Sequence, residues 1–362
     1  MMNGGVMKAW RLERPGGKLT LVDVAVPAVR AGSVLVRMEA IPLLSYFKQY
    51  LEGKLLHYKS PQGPFTPGTN GVGIIEAVGR DVWHLKPGTR VVLSPHFVAR
   101  ENVDEPAQIL IGLSAFDGVS LDIQSAWPDG TLAEFALMPA SSVTPAENLD
   151  GFDATRLAVL NRFIVPFGGL LRGRLASGET LIVNGATGAY GIAAVLLGVA
   201  MGAARVIAAG RNEAVSDAVA RAGGRRVVPV KLSGNVQPDA AALRSAAGGG
   251  AQVAFDMVGR ANDASATLAA LHSLRRGGRL VLMGSMTAPL ALSYNDIVLN
   301  DWEILGQFMY PSDAYPQLLN LTRTGLLDIM PIRPLSFPLE ALEEAAVAAA
   351  KASKFECVVL QP

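Results

Sequence analysis

The stretch TLIVNGATGAYGIAAVLLGVAMG, residues 180–202, joins a short β-branched run to a long apolar run through a turn carrying three glycines. A loop that cradles phosphate needs a strand to deliver the chain, a turn tight enough to demand glycine, and a helix whose free N-terminal N–H groups point at the anion. Residues 180–183, 185–191 and 192–202 supply these three in order. The spacing Gly-x-x-Gly-x-x-Gly at Gly185, Gly188 and Gly191 is a variant of the dinucleotide fingerprint. The competing interpretation is an ordinary turn in an α/β domain. On the phosphate interpretation, Gly185, Thr187, Gly188, Ala189, Tyr190 and Gly191 hold a dinucleotide pyrophosphate.

Working outward, apolar strand runs alternate with helical patterns: RVIAAG (205–210), a helix from Asn212, RVVPV (226–230), a helix near 239–247, QVAFDMV (252–258), a helix near 262–276, RLVLMG (279–284) and DWEILGQFM (301–309). Continuous Val/Ile/Leu/Ala strands spaced by helices predict a parallel sheet covered on both faces, a doubly wound nucleotide-binding fold. In NAD sites a carboxylate at the end of the second strand receives the ribose hydroxyls. Here that point reads Ala209-Gly210-Arg211-Asn212. A guanidinium suits a 2′-phosphate that a carboxylate would repel, so Arg211, with Gly210 and Asn212 beside it, points to NADP(H). The alternative is a solvated loop arginine.

From residue 6 to about 143 the texture is short strands broken by Gly and Pro: MKAWRL, LTLVDVAV, SVLVRMEAI, GVGIIEAVG, TRVVLSP and TLAEFALM, a β-rich module. Its own glycine run, PGTNGVG at 67–73, fails the phosphate test because a strand, not a helix, follows it. Those glycines are expected at turns and close approaches. The tail reads as a helix over 314–324, a Pro-rich link at 331–338, an Ala-rich helix over 339–352 and a closing strand at 355–360 that returns to the first module.

With 32 Lys and Arg against 31 Asp and Glu, the 362-residue chain has no electrostatic footprint for nucleic acid or an anionic membrane. The most membrane-like stretch, 192–204, is too short to span and reads as a buried helix. The start lacks the apolar core of a secretory signal. A single cysteine, Cys357, excludes an internal disulfide and fits a reducing, cytoplasmic setting.

The stretches PFTPGTNGVGIIEAVG, LKPGTRVVL, DGTLAEFALMPAS, SGETLIVNGATGAYG and RRGGRLVLMGS, in this order along nearly the whole chain, resemble the medium-chain dehydrogenase/reductase superfamily, and within it the zinc-independent quinone oxidoreductase and enoyl reductase branch. The resemblance implies an α/β protein with a GroES-like β-rich catalytic domain over residues 1–154 and 311–362 and a doubly wound Rossmann cofactor domain over 155–310. It also implies a homodimer joined through the cofactor-domain sheet at 302–308, and nicotinamide contacts from Gly284, Ser285 and Met286.

In the zinc-dependent members a Gly-His-Glu step falls where this chain has Gly68-Thr69-Asn70, the first zinc Cys falls within 42–47, and the last falls near Asn161. The structural-zinc lobe, with its four cysteines, falls near 95–115. None of these segments contains a cysteine, and His57, His84, His96 and His272 show no ligand spacing, so no metal is expected. A Tyr-x-x-x-Lys match at Tyr50 and Lys54 lies far ahead of the glycine motif, out of order for a short-chain dehydrogenase.

The resemblance sets SYFKQY (45–50) beside the nicotinamide, so Tyr46 or Tyr50 is a candidate to hold the carbonyl or relay the proton, with solvent as the other source. Some branch members carry Asn and Asp where this chain has Leu44 and Phe47, which makes the pocket more apolar. Phe308, Met309 and Tyr310 wall it on this account, or else serve a subunit interface. The expected activity is NADPH-dependent reduction of an activated C=C bond or a quinone, on a small hydrophobic substrate. A metal-free carbonyl reductase and a non-catalytic NADP-binding sensor are the alternatives.

Overall fold

The computed structural model describes residues 5–100, 102–259 and 261–362. It divides into two compact units, one of residues up to 161 together with 332–362, the other of residues 162–331. Up to residue 161 the chain forms β1 (Val6–Leu12), β2 (Leu19–Ala25), β3 (Ser33–Pro42), α1 (Phe47–Leu51), β4 (Gly71–Val78), β5 (Arg90–Leu93), β6 (His96–Val98), β7 (Gln108–Leu110), α2 (Val119–Ala126), β8 (Phe135–Pro139), β9 (Val143–Pro145) and α3 (Ala154–Ala158). It continues as α4 (Asn161–Arg172), β10 (Thr180–Asn184), α5 (Ala189–Ala200), β11 (Arg205–Gly210), α6 (Glu213–Gly223), β12 (Val227–Lys231), α7 (Val236–Ala246) and β13 (Ala251–Asp256). Then come α8 (Ser265–His272), β14 (Leu274–Leu282), α9 (Tyr294–Asn300), β15 (Glu303–Gly306), α10 (Ala314–Arg323), β16 (Arg333–Pro338), α11 (Leu342–Lys351) and β17 (Glu356–Gln361).

In the second unit six parallel strands run in the order β12-β11-β10-β13-β14-β15, the doubly wound arrangement that the alternating runs predicted. The strand order reverses between β10 and β13, so the glycine turn after β10 lies at the switch point. Leu181, Ile182, Val183, Val206, Ile207, Val253, Phe255, Leu280 and Val281 have no solvent exposure. Burying each such side chain is worth about 1.5–3 kcal/mol, which is why these strands read as unbroken apolar runs. Pro229 is tolerated because β12 is an outer strand.

Helix α4, which was not singled out in the sequence, carries Pro166, Gly168 and Gly169. Space explains both glycines. A Cβ on Gly168 would stand 2.5 Å from the Met309 carbonyl oxygen, and one on Gly169 would stand 2.3 Å from the Phe255 ring. Among the described residues the run 154–172, not 192–204, is the one long and apolar enough to cross a membrane by composition, and 72% of its 18-residue apolar window is buried inside the protein.

The first unit is built on a sheet in the order β16-β17-β3-β4-β5-β9, with β8 also paired to β3. The expected Pro-rich link at 331–338 is strand β16, parallel to β17. Its prolines fit because it lies at the sheet's edge. Residues 95–115, where the resemblance puts a structural-zinc lobe, carry the β6–β7 hairpin, with His96 Nε2 2.8 Å from Gln108 Oε1.

The glycine run at 67–73 holds no helix start. Gly68 has φ +134° and packs so tightly that a Cβ would lie 2.6 Å from the backbone nitrogen of Thr131. It follows directly on Thr66 and Pro67, whose carbonyls accept from the Gly130 and Leu132 N–H groups. Gly68→Ala is therefore expected to cost about 1–3 kcal/mol, read as a lower urea midpoint. An unchanged midpoint would contradict this turn geometry.

Candidate active site

The dinucleotide half is built where β10 ends. Gly185 takes φ +79°, and a Cβ on Gly191 would stand 2.1 Å from the Gly185 carbonyl oxygen, so no other residue closes this turn without displacing the backbone. Gly188 is the N-cap of α5 and offers no side chain to the helix end. The N–H groups of the first turn, at Ala189, Tyr190 and Gly191, thus belong to an uncapped helix start at the switch point. That is the geometry an anion takes. Thr187 packs its methyl against Gly210, where a Cβ would lie 2.5 Å away, which fixes the end of β11 beside the turn. The residues present fit a dinucleotide pyrophosphate.

Arg211 is exposed directly after β11. Asn212 uses its side-chain oxygen to cap α6 through Val215 N–H at 3.2 Å, which ties it to the helix rather than leaving it for a ligand. Nearby, the exposed Asp263 carboxyl is held below its ordinary range, first by the Ser265 N–H and hydroxyl and less by the Arg211 charge. Gly284 and Ser285 are exposed after β14 and Met286 is half-buried. The Ser285 hydroxyl lies against Gly259, 2.9 Å from where a Cβ would stand.

One residue here escaped the sequence interpretation. Asp256, at the end of β13, is buried and accepts hydrogen bonds from Asn184 Nδ2 and from the Val258 N–H, both at 2.9 Å. It ties together the two strand ends that flank the switch point. Its signal was a carboxylate closing an otherwise apolar strand.

In the first unit the two tyrosines part company. The Tyr50 hydroxyl is buried and donates to the Leu113 carbonyl at 2.9 Å, and burial pushes its pKa up. Its group is committed to the core, which removes it as a proton relay. Tyr46, half-buried at the start of α1, hydrogen-bonds the Tyr58 hydroxyl. Burial raises the Tyr58 pKa against the lowering effect of that bond. Tyr58, which the sequence gave no reason to single out, packs edge-on to Tyr50 at 5.7 Å. Leu44 and Phe47 are both buried, Phe47 against Tyr50 at 5.9 Å. Of the predicted wall residues in the second unit, Phe308 is exposed, Met309 takes φ +50°, and Tyr310 is buried edge-on against Tyr315.

Three chain segments carry the positions at which the resemblance puts the ligands of a zinc. The end of β3 pairs with β17, Pro42 opposite Val359, and Leu43 N–H bonds the Val358 carbonyl at 2.9 Å. The start of β4 pairs with β3, Val72 opposite Ala40, which places Asn70 at the same end. Cys357, at the head of β17, sets its thiol 3.7 Å from the Asn161 side-chain oxygen. Thr69, Asn70 and Asn161 are all buried, and Asn70 Nδ2 donates to the Leu93 carbonyl at 3.3 Å. Asn161 Nδ2 is buried with no hydrogen-bond partner.

Zinc takes thiolate, imidazole or carboxylate ligands, three or four converging. The side chains at these positions are a neutral hydroxyl and two neutral amides. Among the described residues no group of three His, Cys, Asp or Glu is placed to hold an ion. The donor set does not fit a catalytic zinc. Of the histidines, His57 packs on Tyr58 and His272 stacks on Trp302.

Comparison with known proteins agrees with both halves of the chain. The model of the alcohol dehydrogenase GroES-like domain matches residues 30–148, and that of the zinc-binding dehydrogenases matches residues 189–324. The chain is 30% identical over 323 residues to the alcohol dehydrogenase of Moraxella sp. (strain TAE123), covering 88% of this chain and 89% of that protein. It is 26% identical over 342 residues to the sorbitol dehydrogenase of Mus musculus, covering 92% and 90%. The structure of a protein from Sinorhizobium meliloti 1021 bound to NADP, named as a putative zinc-binding dehydrogenase, shares the fold, with a TM-score of 0.74 and 21% identity over 99% of this chain and 100% of that one. These relatives carry alcohol and polyol dehydrogenase names, not those of the quinone oxidoreductase branch.

Asp256 offers a test of how the strand ends are tied. Burial raises its carboxyl above the ordinary carboxylate range, against the hydrogen bonds it accepts. A raised folded-state pKa contributes stability that is complete below the unfolded value, about 4, and is lost as pH climbs through the folded value. Asp256→Asn removes that titration. The melting temperature of the wild type minus that of Asp256→Asn should be largest near pH ~4 and shrink toward pH ~7. A constant difference would mean that Asp256 ionises like an exposed carboxylate.

Proposed function

This chain belongs to the medium-chain dehydrogenase/reductase superfamily, and we propose that it is a metal-free, NADP(H)-dependent reductase of an activated C=C bond or a quinone. As a member it is an oxidoreductase that works with a nicotinamide cofactor. The observation that carries the narrower proposal is the neutral set Thr69, Asn70 and Asn161 at the positions of zinc ligands.

Reducing a simple ketone or oxidising an alcohol puts full charge on one oxygen, which a Lewis acid ordinarily stabilises. Reducing a conjugated C=C spreads that charge over an enolate and asks less of the protein. When bound, the reduced nicotinamide supplies the hydride, which goes to the β-carbon of the substrate. The protein's part is to hold the pyrophosphate at the start of α5, to receive the 2′-phosphate at Arg211, and to surround the substrate with apolar groups such as Leu44. The α-carbon then takes a proton from Tyr46, whose hydroxyl bonds Tyr58, or from solvent. The substrate gains two hydrogens, and one NADPH and one proton are consumed.

A second proposal, metal-free interconversion of a carbonyl and an alcohol, draws support from the alcohol and sorbitol dehydrogenases that align over most of their length.

Mixing the protein with NADPH and a panel of enones, enals, quinones, ketones and aldehydes, with chelator present, separates these readings through loss of nicotinamide absorbance. Turnover is expected on enones or quinones. Turnover confined to ketones and aldehydes would favour the second proposal, and none at all despite tight NADPH binding would leave a cofactor sensor. Arg211→Asp should weaken NADPH about 10- to 100-fold, the factor that roughly 1.5–3 kcal/mol of charge-assisted hydrogen bonding represents, and barely affect NADH. Equal losses for both cofactors would rule out the 2′-phosphate contact.

A further inference from the structure

The net charge of +1 conceals an uneven distribution. In the parallel sheet every helix returns to its next strand at the end opposite the glycine turn, so these connections gather at one end of the cofactor unit. The stretches RGRLASGE (172–179), RAGGRR (221–226), RSAAGGG (244–250) and RRGGR (275–279), with Arg205 at the start of β11, hold ten arginines and no lysine. All but the half-buried Arg279 are exposed. With the connection into β15 included, the carboxylates of these stretches are Glu179, Asp301 and Glu303, paired to Arg279, Arg276 and Arg174. Ten arginines less these three leave seven with no carboxylate partner among the described residues.

Part of this charge serves the fold. Arg205, Arg226 and Arg244 donate to the Ala246, Ala203 and Leu274 carbonyls at 2.9, 3.0 and 2.8 Å, and cations are favoured where helices end. Helices α4 to α9 all end here, each with about half a negative charge, so their dipoles offset roughly three of the seven. A surplus of about four remains. It matches Arg172, Arg221, Arg225 and Arg275, exposed side chains that make no hydrogen bond or ion pair to any described residue. Structure alone does not account for these four.

We infer that this end of the cofactor unit docks on the phosphodiester backbone of duplex nucleic acid, without reading its sequence. The guanidinium fork binds phosphate oxygens bidentately, a match that lysine lacks. From β12 to β14 the arginine-bearing strand starts span four inter-strand spacings, about 19 Å. A duplex carries a negative charge about every 1.7 Å of its axis, so several phosphates fall within that reach. None of the exposed large hydrophobic side chains among the described residues lies in the arginine-bearing stretches. A protein partner would ask for an apolar centre and a membrane for side chains that insert, whereas a phosphate backbone asks for neither. The inference is independent of the substrate proposed above.

Fluorescence anisotropy of a labelled DNA duplex, titrated with the full chain from about 50 to 200 mM KCl, tests this. The wild type should bind with a Kd of about 10⁻⁵ M or lower at the low-salt end, and log K against log[salt] should fall with a slope of about −4. Replacing Arg172, Arg225 and Arg275 together by Glu should weaken binding at least about tenfold and make the slope shallower by about three. NADPH affinity should stay within about twofold, because none of the three lies at the glycine turn. The same three changed to Gln, a milder substitution, should shift the slope in the same direction. No binding at low salt, a slope shallower than about −2, or equal affinity in the variants would overturn the proposal. Equal affinity for polyglutamate or for phosphatidylserine vesicles would overturn nucleic acid as the occupant.

Discussion

A single contact with no room for one more carbon atom governs the cofactor half: the Gly191 backbone against the carbonyl oxygen of Gly185. It forces the chain to leave β10 in a turn that begins with a positive φ and to enter α5 with its helix end uncapped. The buried strands of the sheet bring this turn to the switch point, and Asp256 ties the neighbouring strand end to Asn184. Everything the unit can do with an anionic cofactor follows from that closure, because any side chain at Gly191 would push the loop out of the space it needs.

In the other unit the governing constraint is electrostatic. The positions where the resemblance puts zinc ligands present Thr69, Asn70 and Asn161, buried side chains none of which carries charge. A buried cation without anionic ligands would be severely destabilised. Neutral amides can be buried if they are hydrogen-bonded, and two of the relevant bonds are present, from Asn70 to Leu93 and from Cys357 to Asn161. The fold of the family is thus retained while the side chains at these three positions are neutral.

Much of this was legible in the sequence because it rests on local rules. The parallel strands are continuous apolar runs, and the glycine turn has strand and helix on its correct sides. The first glycine run was read correctly as backbone geometry, as the positive φ of Gly68 shows. What stayed hidden depends on tertiary placement. Helix α4 was not singled out in the sequence, and its glycines are required by Met309 and Phe255, far away along the chain. The strand β16 looked like a link because its prolines are acceptable only at a sheet edge. Tyr46 and Tyr50 lie four residues apart in the same motif, yet one hydroxyl meets Leu113 in the core and the other meets Tyr58. No pattern in the sequence could separate them, nor reveal that the Asn161 amide keeps an unpaired donor.

The central proposal is that hydride reaches a conjugated C=C bond here without a metal. It is tested most directly by following deuterium from NADPH labelled at C4 into an enone substrate, with metal analysis of the same preparation. The account predicts deuterium at the β-carbon of a saturated product and zinc far below one ion per chain. Deuterium at the carbonyl carbon, accompanied by one zinc per chain, would contradict it.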